Sequence, residues 1–428
     1  MDQMSNPEHL RDVNAYEFDW TVLHIIIGGQ SAIDSNLGFN IRTAEQALKF
    51  LECYGYDSEN PIEKAELFGN FQEALNFIRR HFLQPDNPNG LKLEIPRKIV
   101  EMTDVVQLLM LTQTPADLSP SQQTLSFWAC AVIKVMHTIA HMDKDLRSHY
   151  FTDIQTQILD RFYKFIHSDE KNQVFLGKDI KDPDRIDLVL FDSKPKKGRD
   201  SVLLKLLHKP ENVAEDIFDR VGLRFVTKNR FDCLRIVKFL KERYILMPAN
   251  IKPSRSKNTL INLHAFTQEL HNLKEVSKIG QVTPADFYQK LVQFCKNSDI
   301  KYTDLDNPHS SSFYKTIQFT VRQLIKIQNP LYEDLKVLKA SIKGKPLPED
   351  ILKITDKIDL KNLQKEIRFF YPFEVQICDE ESHQENVAGL GSHSSYKKSQ
   401  LQTALLRVMG DLTKLNPEHL CDANATKM

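Results

Sequence analysis

The chain is short of most features that mark a specialised class of protein. Only 14 of its 428 residues are glycine and 19 are proline, which excludes collagen-like and low-complexity architectures. Its six cysteines stand singly at 53, 130, 233, 295, 378 and 421, with no CxxC pair. Neither a disulfide framework nor a cysteine zinc cluster is expected, and reduced, packed thiols are. There is no net charge, 57 basic side chains facing 57 acidic ones. That excludes a general nucleic-acid coat and a polyanion scaffold. No run approaches the roughly 18 apolar residues that a membrane helix needs. The opening MDQMSNPEHLRDVNAYEFDW lacks the basic and apolar regions of a secretory signal. These absences lead us to expect a cytoplasmic protein without membrane contact. What is present is 41% apolar residues, enough for the cores of two or three domains. Any phosphate-binding function has to come from a local cluster of cations.

Apolar residues recur at helical spacing through the first part of the chain. TAEQALKFLECYGYD follows a capping Thr43, and IEKAELFGNFQEALNFIRRHFLQP closes on Pro85. IPRKIVEMTDVVQLLMLTQ comes next. Ser119-Pro120 then opens SPSQQTLSFWACAVIKVMHTIAHMDKDLRSHY, expected to be the longest helix, and TDIQTQILDRFYKFIHS follows. One helical N-terminal domain over 1–185 is the reading. TVLHIIIGGQSA, before these helices, fits a strand and turn.

Near residue 185 the pattern changes. IDLVLFD, DRVGLRFVT, FYKTIQFTV and FYPFEVQIC read as strands, and SVLLKLLHK and FDCLRIVKFLKERY as helices. An α+β domain over 186–400 follows, with a helical insertion at about 254–309 and a C-terminal helix and tail over 401–428.

Three clusters have chemical potential. In SKPKKGRDSVLLK, Lys194, Lys196, Lys197, Arg199 and Lys205 gather against Asp200, with Ser201 at a helix start. Cations at a helix N-terminus suit polyphosphate, and a solvated basic loop is the plainer reading. Asp219 precedes a strand holding Arg224. A carboxylate there either holds magnesium or makes a turn. Glu374 and Gln376 share one strand face, with Phe373, Val375 and Ile377 on the other. His383 and His393 follow, with Gly389 and Gly391 between them; zinc lacks a third ligand at suitable spacing.

These pieces stand in the order of a known family. EVQI followed by His383, Gly389, His393, Tyr396 and Lys397 resembles the EVQIRT, His, Gly and AAHWxYK pattern of RelA/SpoT-type alarmone synthetases, with identical spacing. DRVGLRFVTKNRFDC resembles that family's Asp-x-x-Gly-Ile/Val-Arg strand. KKGRDSVLLK resembles its basic loop, with Lys197, Ser201 and Lys205 in matching places, and SFYKTIQFTV resembles its GYxSLHxxV strand. The resemblance spans about 190–400. It implies a nucleotidyltransferase-like mixed sheet flanked by helices. It also implies transfer of the β,γ-pyrophosphate of ATP to the 3′-hydroxyl of GDP or GTP. Asp219 and Glu374 would then be catalytic and hold Mg2+. Lys197, Arg199, Ser201, Lys205 and Arg224 would bind the phosphates. Tyr314, Gln376 and His383 would bind the acceptor, Tyr314 by stacking.

The departures fall mainly on the acceptor side: Cys378 and Asp379 in place of Arg-Thr, Gln318 for the strand histidine, Phe313 for the glycine before Tyr314, and Gly391, Ser392 and Ser394 within AAHW. Pro195 replaces an arginine of the basic loop. A live catalytic core with a changed second substrate is expected, tRNA being one candidate that the basic NIKPSRSKN would suit. The alternative is an inactive nucleotide-binding module. None of the 14 histidines precedes an aspartate, so the family's His-Asp hydrolase signature is absent. His137 and His141, four apart with Asp143 near, read as a metal pair or as packing residues.

Overall fold

The computed structural model describes residues 20–28, 31, 41–112, 118–193, 198–209, 220–278, 282–297, 314–346, 348–357, 360, 363–388 and 393–415. The chain forms two compact units, and both are discontinuous in sequence.

The first unit takes residues 1–145, 198–217 and 397–428. Its helices are α1 (Trp20–Ile26), α2 (Ala44–Tyr54), α3 (Pro61–Phe82), α4 (Arg97–Val100), α5 (Val105–Met110) and α6 (Pro120–Asp143). Segments from far along the chain add α8 (Arg199–Leu207) and most of α15 (His393–Leu415). Thr43 caps α2 as expected: its hydroxyl accepts from Gln46 N, and the Gln46 side chain accepts from Thr43 N. Asn60 caps α3 just before Pro61. The core joins Phe71, Leu75, Ile78 and Phe82 of α3 to Trp128, Val132, Val135 and Ile139 of α6. Leu203, Leu206 and Leu207 of α8 and Ala404, Val408, Met409 and Leu412 of α15 belong to the same cluster. Helix α6 is long and apolar enough to cross a membrane by length and composition, and most of its apolar window is buried inside this unit.

The second unit takes residues 146–197 and 218–396. It is built on a seven-stranded mixed sheet of order β1-β2-β3-β4-β7-β6-β5. The strands are β1 (Ile166–Ser168), β2 (Val174–Leu176), β3 (Ile186–Ser193), β4 (Gly222–Thr227), β5 (Lys257–Asn258), β6 (Ile317–Gln328) and β7 (Glu366–Asp379). Only the central β4–β7 pair is parallel. Helices α7 (Phe151–Tyr163) and α9 (Arg230–Glu242) share one core with Leu223, Phe225, Phe319, Val321, Phe373, Val375 and Ile377 of the sheet. Alternation therefore gives the sheet one face sealed by helices and one that carries polar side chains. The insertion supplies α10 (Leu263–Lys278) and α11 (Pro284–Asn297), the latter tied to α9 through Tyr288 Oη and Asp232. Helices α12 (Pro330–Ile342) and α13 (Glu349–Asp356) fill the connection from β6 to β7, and α14 (Glu380–Ala388) follows β7.

The α+β class stands, and the domain limits move. The segment 151–163 covers the sheet instead of joining the helical domain, because Phe151, Ile154, Ile158 and Phe162 find their apolar partners there. Conversely α8 and α15 pack with the helices, so neither a boundary at 185 nor a separate 401–428 tail describes the packing. TVLHIII forms the helix α1, not a strand.

Candidate functional site

The polar face of the sheet gathers on the parallel pair at its centre. In the β4–β7 register Gly222 faces Glu374 and Arg224 faces Gln376. On the other side of β7, Gln318 faces Gln376 and Thr320 faces Glu374. Asp192 of β3 is the partner of Arg224, and Lys257 of β5 is the partner of Gln318. Register partners point to the same face. Asp192, Arg224, Gln376, Gln318 and Lys257 therefore form one row across five strands, with Glu374 beside its middle.

Glu374 is the best-held member. It is buried, 8% exposed. Gln376 Nε2 donates to its Oε1 at 2.9 Å, and Gln318 Nε2 donates to its Oε2 at 2.7 Å. Two amides thus fix the orientation of the side chain. Gly222, its strand partner, carries no side chain. Arg224 reaches Gln376 Oε1 with Nη2 at 3.5 Å, a long contact.

Tyr314 enters from just before β6. Lys315 is held to α14 through both of its backbone polar groups: Lys315 N donates to Asn386 Oδ1 at 3.0 Å, and Asn386 Nδ2 donates to Lys315 O at 2.8 Å. From the opposite side Thr259 Oγ1 donates to Tyr314 O at 2.8 Å. The half-buried Tyr314 phenol is raised above its ordinary pKa, first by burial; Arg224 opposes the rise, and Cys378 and Glu374 add to it. Arg224 and Glu374, whose charges act on the phenol, belong to the polar row. Cys378 is pushed up to about 12 by burial, so it stays a thiol at neutral pH. His383, on α14, is lowered from 6.5 by burial and then by Arg224, with Asp192 opposing. Its imidazole is neutral at pH 7.

The sequence-derived candidates therefore divide. Arg224, Glu374 and Gln376 come together on one face, and the charge of Arg224 acts on the titration of both Tyr314 and His383. Asp219, Lys197 and the structural details of Gly389 and Gly391 lie outside the described residues, as do the side chains of His393 and Tyr396. Arg199, Ser201 and Lys205 belong to α8 in the helical unit. There the Arg199 guanidinium is shared by two carboxylates. It meets Asp143 at 2.5 and 2.7 Å, and Glu73 through Nε and, at 2.8 Å, through Nη2. Those contacts hold its pKa above the ordinary arginine value, Asp143 contributing first. An arginine committed in this way is a strut between α8, α3 and α6, and the expectation of a free phosphate ligand is corrected accordingly. Asp200 is likewise taken up, by Arg80 and His81.

Three residues of the row, Asp192, Gln318 and Lys257, escaped sequence reasoning as site members. Gln318 stands on the polar face of its strand where the family has a histidine, and here it orients the carboxylate. Lys257 sits in a two-residue strand, too short for any alternation to show.

A magnesium ion suits hard oxygen donors and few carboxylates. Glu374 supplies one such group, oriented by amides. Among the described residues no set of three or more His, Cys, Asp or Glu gathers to hold a metal. No protein-family model, no curated protein and no solved structure matches the chain.

Proposed function

We propose that the chain is an ATP-dependent pyrophosphokinase of the alarmone-synthetase type, with a nucleotidyltransferase-like sheet. The observation that carries this reading is the Glu374 carboxylate held by Gln318 and Gln376 within a row that includes Arg224, with Tyr314 alongside. In the proposed reaction the acceptor's 3′-hydroxyl oxygen bonds to the β-phosphorus of ATP. The bond from that phosphorus to the α,β-bridging oxygen breaks, and AMP departs. Glu374, fixed by its amides, takes the hydroxyl proton. Arg224 and Lys257 offset the charge on the transferred phosphates. Tyr314 offers its ring to the acceptor base, and neutral His383 offers hydrogen bonding at the same end. Mg2+, held by Asp219 and Glu374 with the phosphates, would supply Lewis-acid charge neutralisation. GDP or GTP is the first acceptor to consider, with another nucleotide or a tRNA 3′ end as the alternative acceptor. A cytoplasmic setting accompanies this reading.

The test is direct. Purified protein with γ-labelled ATP, Mg2+ and GDP, GTP or tRNA should move label to one acceptor and release AMP. Glu374→Gln should lower the rate constant at least 100-fold while leaving the thermal midpoint within a few degrees. Label that stays on ATP with every acceptor would remove the transferase reading. A second reading, an inactive nucleotide-binding module, draws on the commitment of Arg199 to Glu73 and Asp143, which takes a cation out of the expected phosphate set. Nucleotide binding without transfer would select it.

A further inference from the structure

The helical unit contains a group of side chains that the proposed transfer leaves unused. His137 and His141 are one turn apart on α6, so both rings rise from one face of the helix. Their centroids are 4.3 Å apart and their planes are inclined at 54°. Tyr54, the last residue of α2, places its hydroxyl 2.5 Å from His137 Nδ1. The Tyr54 ring is itself held between Phe50 and Tyr56, at 6.0 and 6.1 Å between centroids.

This arrangement separates the two nitrogens of His137. Nδ1 is occupied by Tyr54. Nε2 makes no hydrogen bond among the described residues, and the residue is half-buried. His141 is exposed, with no bonding partner among the described residues. Two imidazoles on one ion, each nitrogen about 2.0–2.1 Å from it, have ring centres roughly 4.5–5 Å apart. A small ring rotation takes 4.3 Å to that value. With Nδ1–H donating to the Tyr54 oxygen, Nε2 of His137 carries the lone pair that a metal needs, and an Nδ1 hydrogen bond of this kind is the usual outer contact of a metal-binding histidine.

We propose that His137 and His141 chelate one late first-row divalent cation, with Tyr54 as a positioning residue and water in the remaining positions. Paired imidazoles favour Zn2+, Cu2+ or Ni2+ over Mg2+ and Ca2+, so this site is chemically distinct from the magnesium site of the proposed transfer and independent of it. Its two-histidine donor set is also of a different kind from a cluster of three or more His, Cys, Asp or Glu.

Zn2+ affinity, measured by competition with a chromophoric chelator on the full chain without a histidine tag, tests the proposal, together with the visible spectrum of added Co2+. The wild type should bind about one equivalent more tightly than the variants do. His141→Ala, at an exposed position that spares the fold, should weaken that binding at least tenfold and abolish the Co2+ bands of nitrogen ligation. Tyr54→Phe should weaken it about tenfold while keeping those bands, as loss of an outer contact does. Zn2+ should raise the thermal midpoint of the wild type and not that of His141→Ala. Equal Zn2+ affinity and equal Co2+ spectra in wild type and His141→Ala would overturn the chelate. Unchanged affinity in Tyr54→Phe would overturn the positioning role.

Discussion

The charge of Arg224 acts on both Tyr314 and His383, and each makes a claim that one side chain can test. If Tyr314 stacks on the acceptor base, Tyr314→Ala should lose about 1–3 kcal/mol of acceptor binding, read as a raised KM for the acceptor with ATP affinity unchanged. Tyr314→Phe should keep most activity, because stacking uses the ring face; equal losses in both variants would exclude stacking. His383 gives a pH signature. Its folded pKa lies below the ordinary 6.5, burial being the main cause, while Arg224 lowers it further and Asp192 opposes. The unfolded chain therefore takes up the proton first as pH falls. The stability contribution is complete above about pH 6.5 and is lost progressively below it. Urea midpoints at pH 7 and pH 5 should differ by less in His383→Gln than in the wild type.

At the scale of elements, the strands of the central sheet were legible and several of their neighbours were not. FEVQIC and TIQFTV alternate because one face meets α7 and α9, and that periodicity survives in the sequence. The polar face of Glu374 and Gln376 was legible for the same reason. Lys257 was not, since a two-residue strand has no period. Helix α8 was legible as a helix and misread in its setting. Its cations resemble a phosphate loop in sequence, and only tertiary structure brings Glu73 and Asp143 to Arg199. Arg199→Ala should consequently act on stability first. Removing the guanidinium leaves two carboxylates facing one another, and the partly exposed site should lose about 1–2 kcal/mol. Differential scanning should show a lowered first transition. An unchanged melt with weakened ATP binding would restore Arg199 to the phosphate set.

Across the whole molecule, the chain passes between its two units at 145/146, 197/198, 217/218 and 396/397. A fragment cut at the boundary suggested by the sequence should fail. Residues 1–185 would lack Leu203, Leu206, Leu207, Ala404, Val408, Met409 and Leu412, all of which belong to the helical core. They would also carry α7 with only β1 and β2 of the seven-stranded sheet. Such a fragment should bind a hydrophobic dye and unfold without a cooperative transition, whereas the full chain should unfold cooperatively; a sharp melt from the fragment would contradict the packing.

The place of α15 also bears on biosynthesis. Met409 and Leu412 are fully enclosed by the helical core, yet α3, whose Phe71 and Ile78 share that core, leaves the ribosome more than three hundred residues earlier. Throughout that interval the apolar faces of α3 and α6 lack part of their cover. The sheet unit needs nothing beyond residue 396 and can close while its companion still waits. The helical unit therefore completes its core only once its last helix is made, and until then it exposes apolar surface of the kind that chaperones cover.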